Sequence, residues 1–319
     1  MGKAVPVFHG FIGQRKLVRV LRRIIAGAKK KGEACLALLL LGASGLGKTA
    51  LAEAISKEYD TKLHLFYSSE KLTTVMLARA AQTWAPFDFV FIDEAHKLPA
   101  EIQDAFYRIM IERKVPKVEE QADGKPPRIV GETSVAAVTV IAATDQGGTL
   151  NSAFIKRFSL VFDLRLYTSR EMIAIVRQRA AKLKMLLSPQ AAKAVAASCR
   201  GVPRVAGWRL ETMRHYFGQR NPDQFTSGHV ECLLRSLEID NTYRTRLDRQ
   251  YMRILAQHGG AGVSLQTIAL AAASDANHIR TDVEPWLLQM GWTGIAPSGR
   301  YLTEAGKTLV AEDLKEKSN

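Results

Sequence analysis

The chain has 319 residues, 47% of them hydrophobic and 24% charged, with 45 Lys and Arg against 31 Asp and Glu and a formal net charge of +14. That length fits two or three domains, while the apolar run at Leu36–Leu41 is far short of the roughly 20 residues of a membrane helix, and Met1–Lys16 carries no apolar signal-peptide core. Three scattered cysteines (Cys35, Cys199, Cys232) without metal-ligand spacing point to a reducing, cytoplasmic setting, and the basic excess favours polyanionic partners such as nucleic acid.

In chain order, nine basic residues precede the first acid, Glu33, and from Gln14 to Lys31 the apolar residues Leu17, Leu21, Ile24 and Ala28 recur at helical spacing. A basic amphipathic helix follows, its charges either a solvated face or a polyanion contact. Residues 35–41 read as a buried strand entering a glycine turn at Gly42, and Thr49–Tyr59 as a helix. Leu63–Tyr67, Phe87–Ile92, Val138–Ala142 and Phe158–Leu164 read as further strands, with helices over Ser69–Thr83 and Ala100–Ile111. Strands alternating with helices predict an α/β fold whose parallel sheet is covered on both faces. A polar insertion at 113–137, with Asp123-Gly124 at its centre, reads as a projecting hairpin.

Beyond Thr168 the pattern is helical. Thr168-Ser169-Arg170-Glu171 is a capping box and Ser188-Pro189 a cap followed by Pro at the first helical position; helices are expected near 169–184, 188–199, 203–217 and 228–238, with Gly218–Ser227 as an internal loop. Residues 247–258, 264–273 and 276–290 predict three more helices, followed by Gly-Trp, a Pro-Ser-Gly turn and Arg300-Tyr301-Leu302, the order of a winged helix. Pro285 should kink or break the last of these helices, and the tail Glu312–Asn319 should fray. The expected domains are therefore 1–165 (nucleotide-binding), 166–245 (helical lid) and 246–319 (winged helix).

Gly42-Ala43-Ser44-Gly45-Leu46-Gly47-Lys48-Thr49 fits the G-x-x-x-x-G-K-[ST] pattern, and Ala50 continues it into the helix. Glycines let successive N–H groups curl around phosphates while the helix adds its positive end. Lys48 is expected on the β- and γ-phosphates and the Thr49 hydroxyl on Mg²⁺, which makes ATP and Mg²⁺ the expected ligands. In Phe89-Val90-Phe91-Ile92-Asp93-Glu94, Asp93 suits the metal and Glu94 the attacking water, whereas His96 suits a structural or partner-facing role. Thr144 is the candidate for the γ-phosphate or the water, with Asp145 less suited, and Arg157 for a neighbouring subunit's nucleotide. In Arg200-Gly201-Val202-Pro203-Arg204, Pro203 starts a helix and sets Arg204 to reach the γ-phosphate, with Arg200 the competitor.

These stretches resemble the RuvB family of AAA+ motors over most of the chain. The resemblance rests on Phe11-Ile12-Gly13-Gln14 ahead of a basic helix, Lys30-Lys31-Gly32-Glu33-Ala34, Gly45–Thr49, Phe91-Ile92-Asp93-Glu94-Ala95-His96, Arg200–Arg204 and Glu284-Pro285-Trp286-Leu287-Leu288-Gln289-Met290-Gly291. It implies an AAA+ domain, a helical lid and a winged helix in a hexameric ring around duplex DNA. It also implies Phe11–Gln14 against the adenine, Arg157 as the neighbour's finger, and a RuvA-like or other loading partner at the hairpin. Three departures stand out: Ile155 replaces an arginine of the finger segment, Asp145-Gln146 follow Thr144 where the family has Thr-Arg, and Ile295 and Ser298 replace wing arginines, leaving Arg300. His278 and Arg280 on the third winged-helix segment and Arg300 on the wing are the DNA-contact candidates. The expected activity is that of an ATPase driving branch migration or remodelling of DNA. The rivals are an ATP-dependent DNA-binding adaptor for a recombinase or transposase, and a MoxR-like protein remodeller.

Overall fold

Hydrophobic periodicity and glycine turns translate into a sheet whose C-terminal edge collects the polar motifs. The computed structural model describes residues 8, 10–68, 72–119, 121, 127–150, 152–218 and 223–316. Helix α1 (Arg15–Lys31) buries Leu17, Val18, Leu21 and Ile25 and leaves its basic residues exposed, with Lys29–Lys31 at the C-terminal end, where the helix dipole favours cations. β1 (Leu38–Leu41) enters the glycine loop, from which α2 (Lys48–Tyr59) emerges. β2 (Leu63–Tyr67), α3 (Thr74–Ala81), β3 (Phe89–Asp93) and α4 (Ala100–Glu112) follow. Helix α3 starts later than the sequence predicts because Thr73 caps it, its hydroxyl accepting from the Met76 N–H at 3.2 Å; residues 69–71 lie outside the described part.

The insertion is an antiparallel hairpin of β4 (Lys114–Glu119) and β5 (Arg128–Ser134), with Asp123-Gly124 outside the described residues. β6 (Thr139–Thr144), the short helix α5 (Ser152–Ile155) and β7 (Leu160–Asp163) complete the main sheet, all parallel in the order β2-β3-β6-β1-β7. β6 is buried at every position, as a central strand between helical layers must be. On one face Leu39, Val90, Ile92, Val140 and Ala142 pack against Leu77, Ile102, Phe106 and Ile109 from the helices and Trp84 from the loop after α3.

The chain forms two units. The first runs to Ile175 and also takes in Gly201–Val205; the second comprises Val176–Arg200 and Ala206 onward. Helix α6 (Ser169–Lys182) begins in the first unit at the predicted capping box, where the Thr168 N–H donates to Glu171 and the Glu171 N–H to the Thr168 hydroxyl. α7 (Pro189–Ser198), α8 (Pro203–Tyr216) and α9 (Ser227–Ser236) form the small helical part. α10 (Arg246–Gln257), α11 (Leu265–Ala271) and α12 (Ala276–His278) lead through a π-helical turn, Ile279–Val283, into α13 (Glu284–Gln289). The π turn falls where Pro285 withholds a backbone donor, so the predicted kink takes the form of one wider turn. The wing is β8 (Thr293–Ala296) paired with β9 (Gly299–Leu302).

The described part of the expected frayed tail, residues 312–316, is instead the end of α14 (Glu304–Glu316), and residues 317–319 lie outside the described part. Val310 of this helix is buried in the core with Tyr251, Leu255, Ile268 and Leu287, and Asp313 takes both Nη atoms of buried Arg244, at 2.7 and 3.1 Å. That pairing ties down a terminus that its charge alone would free. The three cysteines are unpaired.

Candidate nucleotide-binding site

The phosphate loop is forced by its glycines. Gly42 has φ 135° and Gly45 φ 83°; an added Cβ would lie 2.8 Å from the Leu164 carbonyl oxygen at Gly42 and 2.8 Å from Arg204 Cβ at Gly45. No other residue combines that backbone with that clearance. At the base of α2 the Lys48 side chain is buried, and its ammonium donates to the carbonyls of Gly42 (2.6 Å) and Ala43 (3.1 Å). Burial pulls its pKa below the usual lysine value; Asp145 and Asp93 oppose this, Arg204 adds to it, and Glu94 opposes it. Carboxylates from two other strand ends thus act on the loop lysine.

Parallel register explains that convergence. Leu41, the residue before the loop, is level with Thr144, and Ile92 is level with Ala142. The loop, Thr144 and Asp93 therefore share the C-terminal edge of the sheet, where open α/β sheets bind ligands. Thr144 is the last residue of β6 rather than a residue beyond it, and it is buried. Its hydroxyl lies 2.9 Å from His96 Nδ1 and accepts from the Gln146 N–H at 3.0 Å. His96 also faces Asp145 at 3.7 Å, and its other ring nitrogen is enclosed without a partner among the described residues. Glu94 adopts a left-handed backbone (φ 51°) that turns it out of the strand, its N–H donating to Asp93 Oδ1 at 3.0 Å. The Glu94 carboxylate pairs with Lys97. That bond is the main cause holding its pKa below the usual glutamate value.

A second convergence is not visible in the sequence. Tyr167 is buried, and its hydroxyl donates to the Leu46 carbonyl of the loop at 3.0 Å. Its N–H donates to the Gly201 carbonyl at 2.9 Å, and a Cβ on Gly13 would strike its ring. Burial pushes the phenol up to about 12. Beside it the Gln14 amide exchanges two hydrogen bonds with the Arg165 main chain, at 2.6 and 3.3 Å. The Phe11–Gln14 segment, with Phe11 buried, is thus held against the loop. Arg204, at the start of α8, donates from Nη1 to Ser44 Oγ at 2.7 Å, and its N–H donates to the Gly45 carbonyl at 3.2 Å.

Arg200 is placed elsewhere. Its guanidinium pairs with the wholly buried carboxylate of Asp248, donates to the Tyr243 carbonyl at 2.7 and 3.2 Å, and lies 4.0 Å over the Trp286 ring. It joins α10 to α13, whereas Arg204 is the arginine of this turn that touches the phosphate loop. Arg157 is exposed and stacks 4.0 Å over the Tyr107 ring of α4.

In the second unit, His278 is exposed and faces Asp282 at 3.1 Å, and Arg280 donates to Asn277 Oδ1 at 2.8 Å. Arg300, the wing candidate, is engaged within its own unit. Its Nε donates to Glu284 Oε1 at 2.8 Å, an oxygen that also accepts from the Tyr251 hydroxyl at 3.0 Å. Buried Glu284 requires that partner, so the arginine is drawn inward to compensate a charge.

Comparison with known proteins matches this arrangement segment by segment. The family described as Holliday junction DNA helicase RuvB P-loop domain matches residues 5–164, the RuvB AAA lid domain residues 167–240, and the RuvB C-terminal winged helix domain residues 245–311. The chain is 33% identical over 297 residues to the Holliday junction branch migration complex subunit RuvB of Granulibacter bethesdensis, covering 93% of this chain and 82% of that relative. The RuvB branch migration motor of Thermotoga maritima superposes with a TM-score of 0.79 at 27% identity, and a mutant of it with 0.81 at 26%; each pairing covers 95% of this chain and 96% of the other. Matched in its P-loop, lid and winged-helix segments and 33% identical to a RuvB subunit over most of its length, the chain belongs to the RuvB family of AAA+ P-loop ATPases.

Proposed function

We propose that the protein is a ring-forming motor, most simply a hexamer, that uses ATP hydrolysis to drive branch migration of branched or duplex DNA. The observation that carries this reading is the meeting of Lys48, Asp93, Glu94, Thr144 and Arg204 around one loop, in a chain that also carries a winged helix. Its relatives named as Holliday junction motors support the DNA substrate.

In this reading Gly42–Ala50 wraps the phosphates, Phe11, Ile12, Gly13 and Gln14 line the base side, and Pro203 and Arg204 close the site from the lid. Mg²⁺ suits Thr49 and Asp93, a sparse set of hard oxygen donors of the kind this ion takes alongside phosphate oxygens; the ion would neutralise charge on the transferred phosphoryl group. Glu94, kept ionised by Lys97, takes the proton of the attacking water. Thr144 aligns that water or the γ-phosphate, and Arg157 completes a neighbouring subunit's site. His278 and Arg280 contact DNA, and the β4–β5 hairpin receives a RuvA-like or other loading partner. A cytoplasmic location goes with the DNA substrate. No helix among the described residues is long and apolar enough to cross a membrane.

The wing favours a second reading, an ATP-dependent DNA-binding adaptor, because Arg300 is engaged by Glu284 and Ile295 is exposed in its place. The deciding experiment is steady-state ATP hydrolysis, with branch migration of a synthetic four-way junction, by wild type and Glu94→Gln. Stimulation by DNA and junction movement, both lost in the variant, are expected. ATP-dependent DNA binding with slow turnover and no junction movement would select the adaptor, and turnover indifferent to DNA would remove both.

A further inference from the structure

Helix α10 presents three arginines, Arg246, Arg249 and Arg253, at positions that helical geometry stacks on one face. With Glu238 and Gln250 they line an open cavity of about 620 Å³. The one acid of α10, Asp248, lies on the opposite, buried side, where Arg200 and Thr245 use it. Glu238 is therefore the only carboxylate in this lining, leaving a net charge of two positive.

The three guanidinium groups are not equivalent. Arg249 is fixed by the carbonyls of Arg244 (2.9 Å) and Glu238 (3.1 Å) and by Asp240 at 3.4 Å. Arg246 is exposed, and among the described residues neither it nor Arg253 forms an ion pair. Arg253 is half-buried, and among the described residues its Nε is enclosed without an acceptor. A buried charged donor without an acceptor is unfavourable, and an incoming oxyanion removes that cost. The adjoining hollow, which shares Glu238, Arg249 and Arg253, adds Arg235 and Arg244 but also Asp240, Glu312 and Asp313. Arg244 is shared between Asp240 and Asp313, and Asp240 also pairs with Arg249, so among the described residues the arginines left without an ion pair in the α10 lining are Arg246 and Arg253.

We propose that the Arg246–Arg249–Arg253 face of α10 is a phosphate-binding site for the backbone of duplex DNA, separate from the wing and from the nucleotide loop. The proposal rests on the DNA-motor reading above. The lining holds no aromatic or aliphatic side chain on which a base would stack, so the site takes phosphate rather than a nucleoside. Its net charge of two suits two singly charged phosphodiesters, while Glu238 disfavours the dense charge of a free triphosphate. It also supplies a backbone grip in a chain whose wing arginine is engaged by Glu284. Planar guanidinium forks are the groups best matched to such oxygens.

The test uses the full chain carrying Arg246→Gln, Arg253→Gln or both, with fluorescent duplex and four-way-junction DNA titrated over a range of salt concentrations. The slope of log affinity against log salt should fall by about one for each single variant and about two for the double. The loss should be the same for unrelated DNA sequences, and ATP hydrolysis without DNA should stay at the wild-type rate. Wild-type DNA binding with unchanged slopes in the variants overturns the site, whereas a wild type that binds no DNA overturns the motor reading itself. Inorganic tripolyphosphate that binds wild type but not the variants, with DNA binding equal in all, overturns the DNA assignment in favour of a free polyphosphate. Loss of ring assembly with an unaltered DNA slope also overturns it, making the face a subunit contact. If half-buried Arg253→Gln fails to fold, as judged by its thermal unfolding, exposed Arg246→Gln alone decides between these outcomes.

Discussion

The Nδ1 atom of His96 lies 2.9 Å from the hydroxyl of Thr144, across 48 residues of chain. The bond links the segment after the strand-end acids to the end of the neighbouring strand, so a residue with no expected chemistry aims one that has it. His96→Ala should lower kcat about tenfold, the cost of roughly one oriented hydrogen bond, while the KM for ATP changes little. Thr144→Val should do the same, and the double variant should be no worse than either single. Additive losses would separate the two residues.

Lys97 is the main reason that the Glu94 carboxyl titrates below the ordinary glutamate range. A depressed pKa keeps the base ionised to lower pH. Lys97→Ala should therefore shift the acid limb of the kcat–pH profile upward and leave the plateau nearly unchanged. Glu94→Gln should keep nucleotide binding and lose roughly 10²-fold or more in turnover.

Tyr167→Phe removes the hydroxyl that donates to the Leu46 carbonyl and leaves the ring in place. Loss of that buried bond should cost about 1 kcal/mol of stability, seen as a lower thermal midpoint. It should also weaken binding of a fluorescent ATP analogue, because the loop loses a fixed point. Weaker binding with an unchanged midpoint would confine the hydroxyl's role to the nucleotide.

The two arginines of the Arg200–Arg204 turn should separate cleanly. Arg200→Ala leaves the buried Asp248 carboxylate without its guanidinium, a loss of about 3–5 kcal/mol by the usual behaviour of broken buried pairs. Arg204→Ala removes only a surface contact to Ser44. It should keep the wild-type midpoint in denaturant while losing most of the ATP turnover. A stable Arg200→Ala would mean that Asp248 finds another partner.

The sheet, the hairpin and the phosphate loop are legible because each is encoded locally, in apolar runs that stop at Gly42, at Asp93 and near Thr144. β6 runs two residues further than the predicted Val138–Ala142, since Ala143 and Thr144 carry no mark of whether the strand has ended. Tyr167 gives no signal of its own because its partner Leu46 is 121 residues distant and its neighbours mark only a helix start. The tail looks unanchored for the same reason: Asp313 finds Arg244 69 residues away. Arg300 looks like an exposed wing arginine until the buried charge of Glu284 is seen behind it. Periodicity reports which way a residue faces; only tertiary contacts report what it faces.

No residue of β5 is buried, Ile129 and Val130 lie open to solvent, and the strand is tied to α4 through the ion pair of Arg108 with Glu132. A strand that contributes nothing to a core can change sequence without loosening the ATPase beneath it. The hairpin is therefore where an engineer would graft a new docking sequence at little thermodynamic risk to the fold.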